Sequence, residues 1–272
     1  MSFRSRKRFG QNFLTDENVI YQIIDSIAPR SSDHLVEIGP GKGALTQPLL
    51  DSGGVLDAIE LDRDLAVYLR KKFASRDNFT LYNEDALYFN LSTLPIPNEK
   101  LRIVGNLPYN ISTPLIFRLL EQFRYLEDMH FMLQKEVVDR LTATPGSKNY
   151  GKLSVIIQYY STIEQLFEVP AACFSPAPRI ISAAVQLVPR KEFIIKVDNI
   201  EVFRKVISKS FSMRRKTLRN NLKGLVSIEE LSSLGIEPGR RAETLELEEF
   251  AQLANFLNQK LTDEERSENK KF

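Results

Sequence analysis

The chain has one cysteine and two histidines in 272 residues. A lone Cys173 closes no internal disulfide, and with no Lys, Arg or His beside it to lower its pKa we read it as a small buried residue rather than a nucleophile. His34 and His130 fall inside apolar runs, so no metal site is expected. No stretch is long and apolar enough to span a bilayer, and the basic start is not followed by an apolar signal core. Only ten residues precede Gln11, too short a run for an organellar transit peptide, so cytoplasm is the expected compartment. Internal repeats are absent. The net charge is only +2, too little for a global field that gathers nucleic acid. Its distribution says more. Arg4, Arg6, Lys7 and Arg8 precede any acidic residue, and Phe203 to Gly224 carries eight Lys or Arg with no Asp or Glu. Charge runs are usually solvated faces, but the acid-free second run makes a better basic patch for a polyanion.

With 43% apolar residues the chain can bury a large core, and its length suits one big domain and a smaller one. Asp16 to Ala28 has apolar residues at helical spacing, with Thr15 or Asp16 as N-cap. Strand-like runs at His34–Ile38, Val55–Ile59, Phe79–Tyr82, Leu101–Gly105 and Phe131–Leu133 alternate with helical stretches at Ala44–Leu50, Arg63–Phe73 and Thr113–Phe123. Such alternation predicts a mostly parallel sheet with helices on both faces. Ile180–Val188 reads as a further strand ending at Pro189. Past Val197 the pattern is helical, broken at Gly224, Gly235 and Pro238-Gly239. We therefore expect an α/β domain over residues 1–190, an all-helical domain over 191–261, and a charged, disordered tail over 262–272.

The first strand runs directly into Gly39-Pro40-Gly41-Lys42-Gly43. Glycines at a strand-to-helix turn allow positive φ and let the backbone approach a cofactor closely. Glu60 closes the second strand 21 positions after Gly39, where an acidic side chain accepts hydrogen bonds from ribose hydroxyls. Asn83-Glu84-Asp85-Ala86 follows the third strand, and Asp85 can bond the exocyclic amine of a cofactor adenine. Gly39, Gly41 and Ala44 also satisfy a loose dinucleotide fingerprint, so a nicotinamide enzyme remains open at this point. Against it stand Glu37, two residues before the first glycine, and the Asn83–Ala86 segment.

Asn106-Leu107-Pro108-Tyr109 lies where the fourth strand ends. An adenine amine is a poor nucleophile because its lone pair is delocalised into the ring. The Asn106 side-chain oxygen and the Leu107 carbonyl, extended by the following Pro108, can each accept one amino hydrogen and draw that lone pair out. Tyr109 would stack on the base. Taken alone, the same four residues suit an ordinary turn equally well.

Together with Gln11-Asn12-Phe13-Leu14 and Phe174-Ser175-Pro176-Ala177-Pro178, these motifs resemble, in order, those of the S-adenosylmethionine-dependent rRNA adenine N6,N6-dimethyltransferases. The resemblance runs from Arg6 to about Pro189. Leu107, and the stretch Asp128 to Val137, are similar to the branch that modifies small-subunit rRNA rather than the large-subunit, macrolide-resistance branch. It implies a Rossmann-like class I methyltransferase domain followed by the small helical domain. S-adenosyl-L-methionine would be the cofactor, with Asn12 and Leu14 closing over it. Glu37, Gly39 and Gly41 would line its methionine part, Glu60 its ribose, Asp85 and Ala86 its adenine, and Asn106 both cofactor and target. Phe174 would stack on the target adenine opposite Tyr109, although a core Phe beside a proline-rich loop fits the same residues. The implied target is two neighbouring adenosines in a hairpin loop near the 3′ end of small-subunit rRNA, methylated in a pre-ribosomal particle by a monomer as part of ribosome biogenesis. Arg214, Arg215, Lys216 and Arg219 would contact rRNA phosphates, with Arg215 and Arg219 sharing a helix face. A large-subunit or DNA adenine methyltransferase, and a mainly non-catalytic assembly or transcription factor on the same fold, are the other readings.

Overall fold

The computed structural model describes residues 12–95, 100–193 and 195–269, with side chains as far as Thr262. Gln11 and the basic residues Arg4, Arg6, Lys7 and Arg8 lie outside the described residues. In chain order the elements are β1 (Phe13–Leu14), α1 (Glu17–Ile27), β2 (His34–Ile38), α2 (Thr46–Asp51), β3 (Val55–Ile59), α3 (Arg63–Lys72), β4 (Phe79–Tyr82), β5 (Leu101–Asn106), α4 (Ser112–Leu120) and β6 (Leu126–Gln134). There follow α5 (Lys135–Leu141), α6 (Lys152–Tyr160), β7 (Ser161–Val169), β8 (Phe174–Ser175), β9 (Ser182–Pro189), α7 (Ile200–Ser210), α8 (Leu218–Asn221), α9 (Ile228–Ser233) and α10 (Leu247–Asn269). The chain divides into two compact units. One takes the chain up to Val138 and Thr162–Pro189, the other Asp139–Ser161 and everything from Arg190 onward.

The first unit is built on a seven-stranded sheet in the order β4-β3-β2-β5-β6-β9-β7. The pairs β3–β4, β2–β3, β2–β5 and β5–β6 are parallel, and β6–β9 is antiparallel. All of β2 is buried, as is β3 beyond Val55, which suits strands covered on both faces. Asp16 rather than Thr15 caps α1, accepting from the Val19 N–H at 3.1 Å, while the Thr15 hydroxyl donates to the Cys173 carbonyl. Ile23 and Ile27, four apart, turn that helix onto the core. Because β2 has β3 on one side and β5 on the other, the strand order reverses there. Ligands of open α/β sheets bind outside the carboxyl ends of the strands at such a switch point.

The second unit differs from expectation in three places. It includes Asp139–Ser161, which the sequence pattern places in the α/β domain. Aromatic packing accounts for this: the Tyr159 ring stacks on Phe193 at 4.8 Å and tilts against Phe203, and the Tyr150 hydroxyl donates to the Leu245 carbonyl. The expected disordered tail is helical as far as Asn269, as part of α10. Arg214 to Lys216 are not helical either. The buried Asn221 amide donates to the carbonyls of Ser210 (2.6 Å) and Met213 (3.2 Å), satisfying groups that a continuing helix would have used. The helix restarts only at Leu218, so Arg215 and Arg219 do not share a helical face.

Candidate active site

Gly39 and Gly41 carry the chain away from β2 with φ of 69° and 59°, a region L side chains rarely adopt. Gly39 N–H donates to the Ile59 carbonyl at 2.9 Å, tying the turn to the end of β3. The backbone angle favours glycine at 41, and a Cβ there would also press within 3.1 Å of the Phe13 ring.

Two carboxylates sit behind this turn. Glu60 is buried at the end of β3. Its Oε2 accepts from Gly41 N–H at 3.2 Å and its Oε1 from Asp62 N–H at 2.8 Å. Burial raises the Glu60 pKa, with those two N–H groups working against the rise. Glu37, in β2 and only 2% exposed, accepts a 2.5 Å hydrogen bond from the Thr46 hydroxyl. Its carboxyl is pushed up to about 7, first by burial, opposed by Thr46 and reinforced by the like charge of Glu60. Asp85 accepts from Leu87 N–H at 3.0 Å, and Asn83 reaches back to the Glu60 carbonyl at 2.7 Å, fixing the loop beyond β4 against β3.

At the end of β5, the Asn106 Nδ2 donates to the Asn12 carbonyl at 2.9 Å. A carbonyl can only accept, so this contact sets which way the amide faces and leaves Oδ1 as its acceptor atom. Leu107 is buried and its N–H donates to the Met132 carbonyl at 3.2 Å. The Tyr109 hydroxyl lies 2.7 Å from the Ser182 Oγ, and burial raises its pKa although that bond opposes the rise.

These groups line one cleft of about 200 Å³ in the first unit. It brings together Asn12, Leu14, Gly39, Gly41, Glu60, Asp85, Ala86, Asn106, Leu107, Pro108 and Tyr109, and Glu37 with them. Phe174 is the exception. Paired with Leu14 across β1–β8, it is 4% exposed, packed in the core with Ile23 and Val169, and absent from the cleft lining. In this structure the ring packs in the core beside Leu14, which does line the cleft, so stacking on a target base would require the Phe174 side chain to turn outward. Sequence reasoning left several cleft residues unassigned, Leu61 and Lys42 among them. Leu61, 49% exposed immediately after Glu60, adds an apolar surface to the cleft lining; an apolar residue just beyond the strand's last acid was its signal. Lys42 sits 4.6 Å over the Phe13 ring and pins the N-terminal segment to the glycine turn. Arg214, Arg215, Lys216 and Arg219 are all exposed in the second unit, and the Arg214 guanidinium donates to the Lys148 carbonyl.

Comparison with known proteins follows the same residues. The family model described as ribosomal RNA adenine dimethylase matches residues 2–259. A protein of Nitrosococcus oceani named ribosomal RNA small subunit methyltransferase A is 52% identical over 94% of this chain and 97% of its own length. Its namesake in Pseudomonas aeruginosa is 51% identical over 93% and 95%. Among solved structures, a dimethyladenosine transferase from Plasmodium falciparum superposes with a TM-score of 0.80 at 25% identity, covering 91% of this chain and 98% of that one. The 23S rRNA methyltransferase ErmE shares the fold, with a TM-score of 0.70 at 24% identity over 91% of this chain and 100% of its own. The glycine turn, the acid closing β3 and the Asn-Leu-Pro-Tyr strand end thus stand in a chain that belongs to the ribosomal RNA adenine dimethylase family.

Proposed function

We propose that the chain methylates the N6 amines of two adjacent adenosines in a hairpin loop near the 3′ end of small-subunit rRNA, giving dimethyladenosines. It acts as a monomer on a pre-ribosomal particle in the cytoplasm. Family membership makes it an S-adenosylmethionine-dependent rRNA adenine dimethyltransferase and sets the nicotinamide reading aside. Relatives half identical to it carry the small-subunit name, which favours that target over the large subunit. Among the described residues no helix is long and apolar enough to cross a membrane.

The single observation that carries the reading is the Asn106 amide, held by the Asn12 carbonyl at the mouth of the glycine-turn cleft. The cleft suits the cofactor. Positive-φ glycines let the backbone approach its methionine part, Glu37 faces that end, Glu60 offers oxygens to ribose hydroxyls, and Asp85 with Ala86 and Leu61 frames the adenine. Bound there, S-adenosylmethionine supplies a methyl group already activated on a sulfonium. The protein has to place the target nitrogen in line with it and exclude water. Asn106 Oδ1 and the Leu107 carbonyl accept the amino hydrogens, localise the lone pair and stabilise positive charge as it develops on nitrogen. Tyr109, steadied by Ser182, stacks on the extruded base; such stacking contributes ~1–3 kcal/mol, comparable to the cost of extrusion.

Mapping labelled methyl groups on naked rRNA, on immature particles of both subunits and on DNA tests the proposal. Label on two neighbouring adenosines of the small subunit is expected. Label confined to the large subunit or to DNA would overturn it.

A further inference from the structure

We infer that the outward face of α7, with the turn at Lys223–Leu225, forms a groove that holds several consecutive phosphates of the substrate RNA, at a place distinct from the Arg214–Arg219 segment. The inference rests on the rRNA reading above and adds to it a specific surface. On α7 the residues Val202, Phe203, Val206, Ile207 and Ser210 face inward and are buried. That leaves Lys205, Ser208 and Lys209 on the other side, and with Ser212 and Lys223 they line an open cavity of about 600 Å³. Lys152 from α6 joins them, its Nζ 3.1 Å from the Ser208 hydroxyl.

The charge arrangement points to a ligand rather than to a solvated helix. Lysines at 205 and 209 are one helical turn apart with the same sign, which works against the helix. Solvated helices relieve this with interleaved acids, as the Glu201–Arg204 pair at 3.2 Å does in the first turn of α7. No acid follows between Phe203 and Gly224, and the ammonium groups of Lys205, Lys209 and Lys223 have no ion pair or hydrogen bond to a described residue. Glu230 borders the Leu225 end, but its carboxylate is already paired with Lys260 at 2.9 Å, and Lys260 also donates to the Leu225 carbonyl.

Four ammonium groups exceed what one phosphate would neutralise, so the chemistry fits a polyanion. Lysines are point charges on flexible stems and serine hydroxyls are small donors; both suit phosphate oxygens and neither suits bidentate reading of a base edge. Leu225 is the one apolar residue among those lining the cavity, too little for a lipid surface. The groove therefore positions RNA by its backbone and leaves the choice of base to the cleft of the first unit.

The test uses full-length protein and two probes, a small-subunit rRNA fragment and the immature small-subunit particle, titrated between about 50 and 200 mM salt. Wild-type binding to either probe checks the substrate reading itself. Changing Lys205, Lys209 and Lys223 together to Ala should flatten the slope of log affinity against log salt by about two to three units, close to one for each phosphate no longer neutralised. The triple Lys→Arg variant should keep the wild-type slope, and S-adenosylmethionine affinity should be unchanged in both. Lys205→Ala alone should flatten the slope by about one unit, which covers the case in which the triple variant does not fold. A wild-type slope in folded Ala variants, beside a wild type that binds RNA, would overturn the groove while leaving the rRNA reading intact. A wild type that binds neither probe would overturn the substrate reading first.

Discussion

The two ends of the central sheet both bury ionisable groups, and treat them in opposite ways. Towards the amino-terminal ends of the strands, Arg102 of β5 bonds Asp33 at 2.7 Å, Asp128 at 2.8 Å and the Ile27 carbonyl at 2.6 Å, while His34 of β2 meets Asp57 of β3 at 2.6 Å. Burial alone would push the Asp128 carboxyl up, yet His130 and Arg102 more than offset it and hold it below the usual carboxylate range. At the carboxyl ends, Glu37 and Glu60 take their hydrogen bonds from a hydroxyl and backbone N–H groups, Lys72 acts on Glu37 only as the weakest of the influences on it, and both carboxyls are raised. Paired groups staple strands together. Desolvated acids without a close ion pair retain an interaction for something that arrives later, and a ligand bearing positive charge and hydroxyls suits them.

The comparison breaks most visibly at Arg102. Arg102→Ala strands two carboxylates that are themselves mostly buried, and removing one partner of such a network typically destabilises by about 3–5 kcal/mol. Denaturant unfolding should show that loss, while the protein that remains folded binds S-adenosylmethionine as before. A small stability change would mean the amino-terminal network is not structural. Asn106→Ala should do the reverse, leaving stability and RNA affinity nearly intact and slowing methylation by about 10²-fold or more, as loss of one transition-state acceptor does. Wild-type rates in folded Asn106→Ala would remove the strand-end tetrapeptide from the chemistry.

This contrast between the ends was only half legible in the sequence. The carboxyl end could be read because its parts are local: strand, glycine turn and Glu60 follow one another within a short stretch of chain, and the Asn-Leu-Pro-Tyr segment is contiguous. The amino-terminal network could not, because Arg102 draws on Asp128 across the strand register, on Asp33 just before β2 and on Ile27 at the end of α1, which only the folded chain brings together. Asp128 and His130 also hid the length of β6, since polar residues interrupt the apolar run that reads as strand; only Phe131–Leu133 of Leu126–Gln134 was visible. The same blindness to distant partners explains Phe174, whose burial depends on pairing with Leu14, and the Arg214–Lys216 turn, which depends on Asn221.

Within the carboxyl end, Glu60→Ala sharpens the claim that these acids serve a ligand. Cofactor affinity should fall by ~1.5–3 kcal/mol, the usual loss for a hydrogen bond to a charged group. Titration calorimetry is the measurement, and unchanged affinity, or comparable binding of a nicotinamide dinucleotide, would contradict the ribose role.

Glu37 gives the smallest effect and the finest distinction, because its carboxyl is raised from an ordinary 4.5 to about 7. Between those two values the folded protein binds more protons than the unfolded chain, so this group's contribution to stability falls as pH rises through the window and levels off above about 7. A cation beside the carboxylate favours its charged form, so binding the cofactor's methionine end should release a proton below that pH. Affinity should then climb with pH and flatten, gaining about tenfold between about pH 6 and 8. Burial raises Glu60 as well, which is why the informative variant is Glu37→Gln: it keeps the shape and a hydrogen-bonding partner for Thr46 but cannot titrate. Its cofactor affinity should be lower at pH 8 and should lose most of the slope, and the proton release measured by calorimetry in buffers of different ionisation enthalpy should fall with it. If the Gln variant kept the wild-type slope and proton release, the raised acid would belong to the fold alone, and Glu37 would stand with the paired groups at the other end of the sheet.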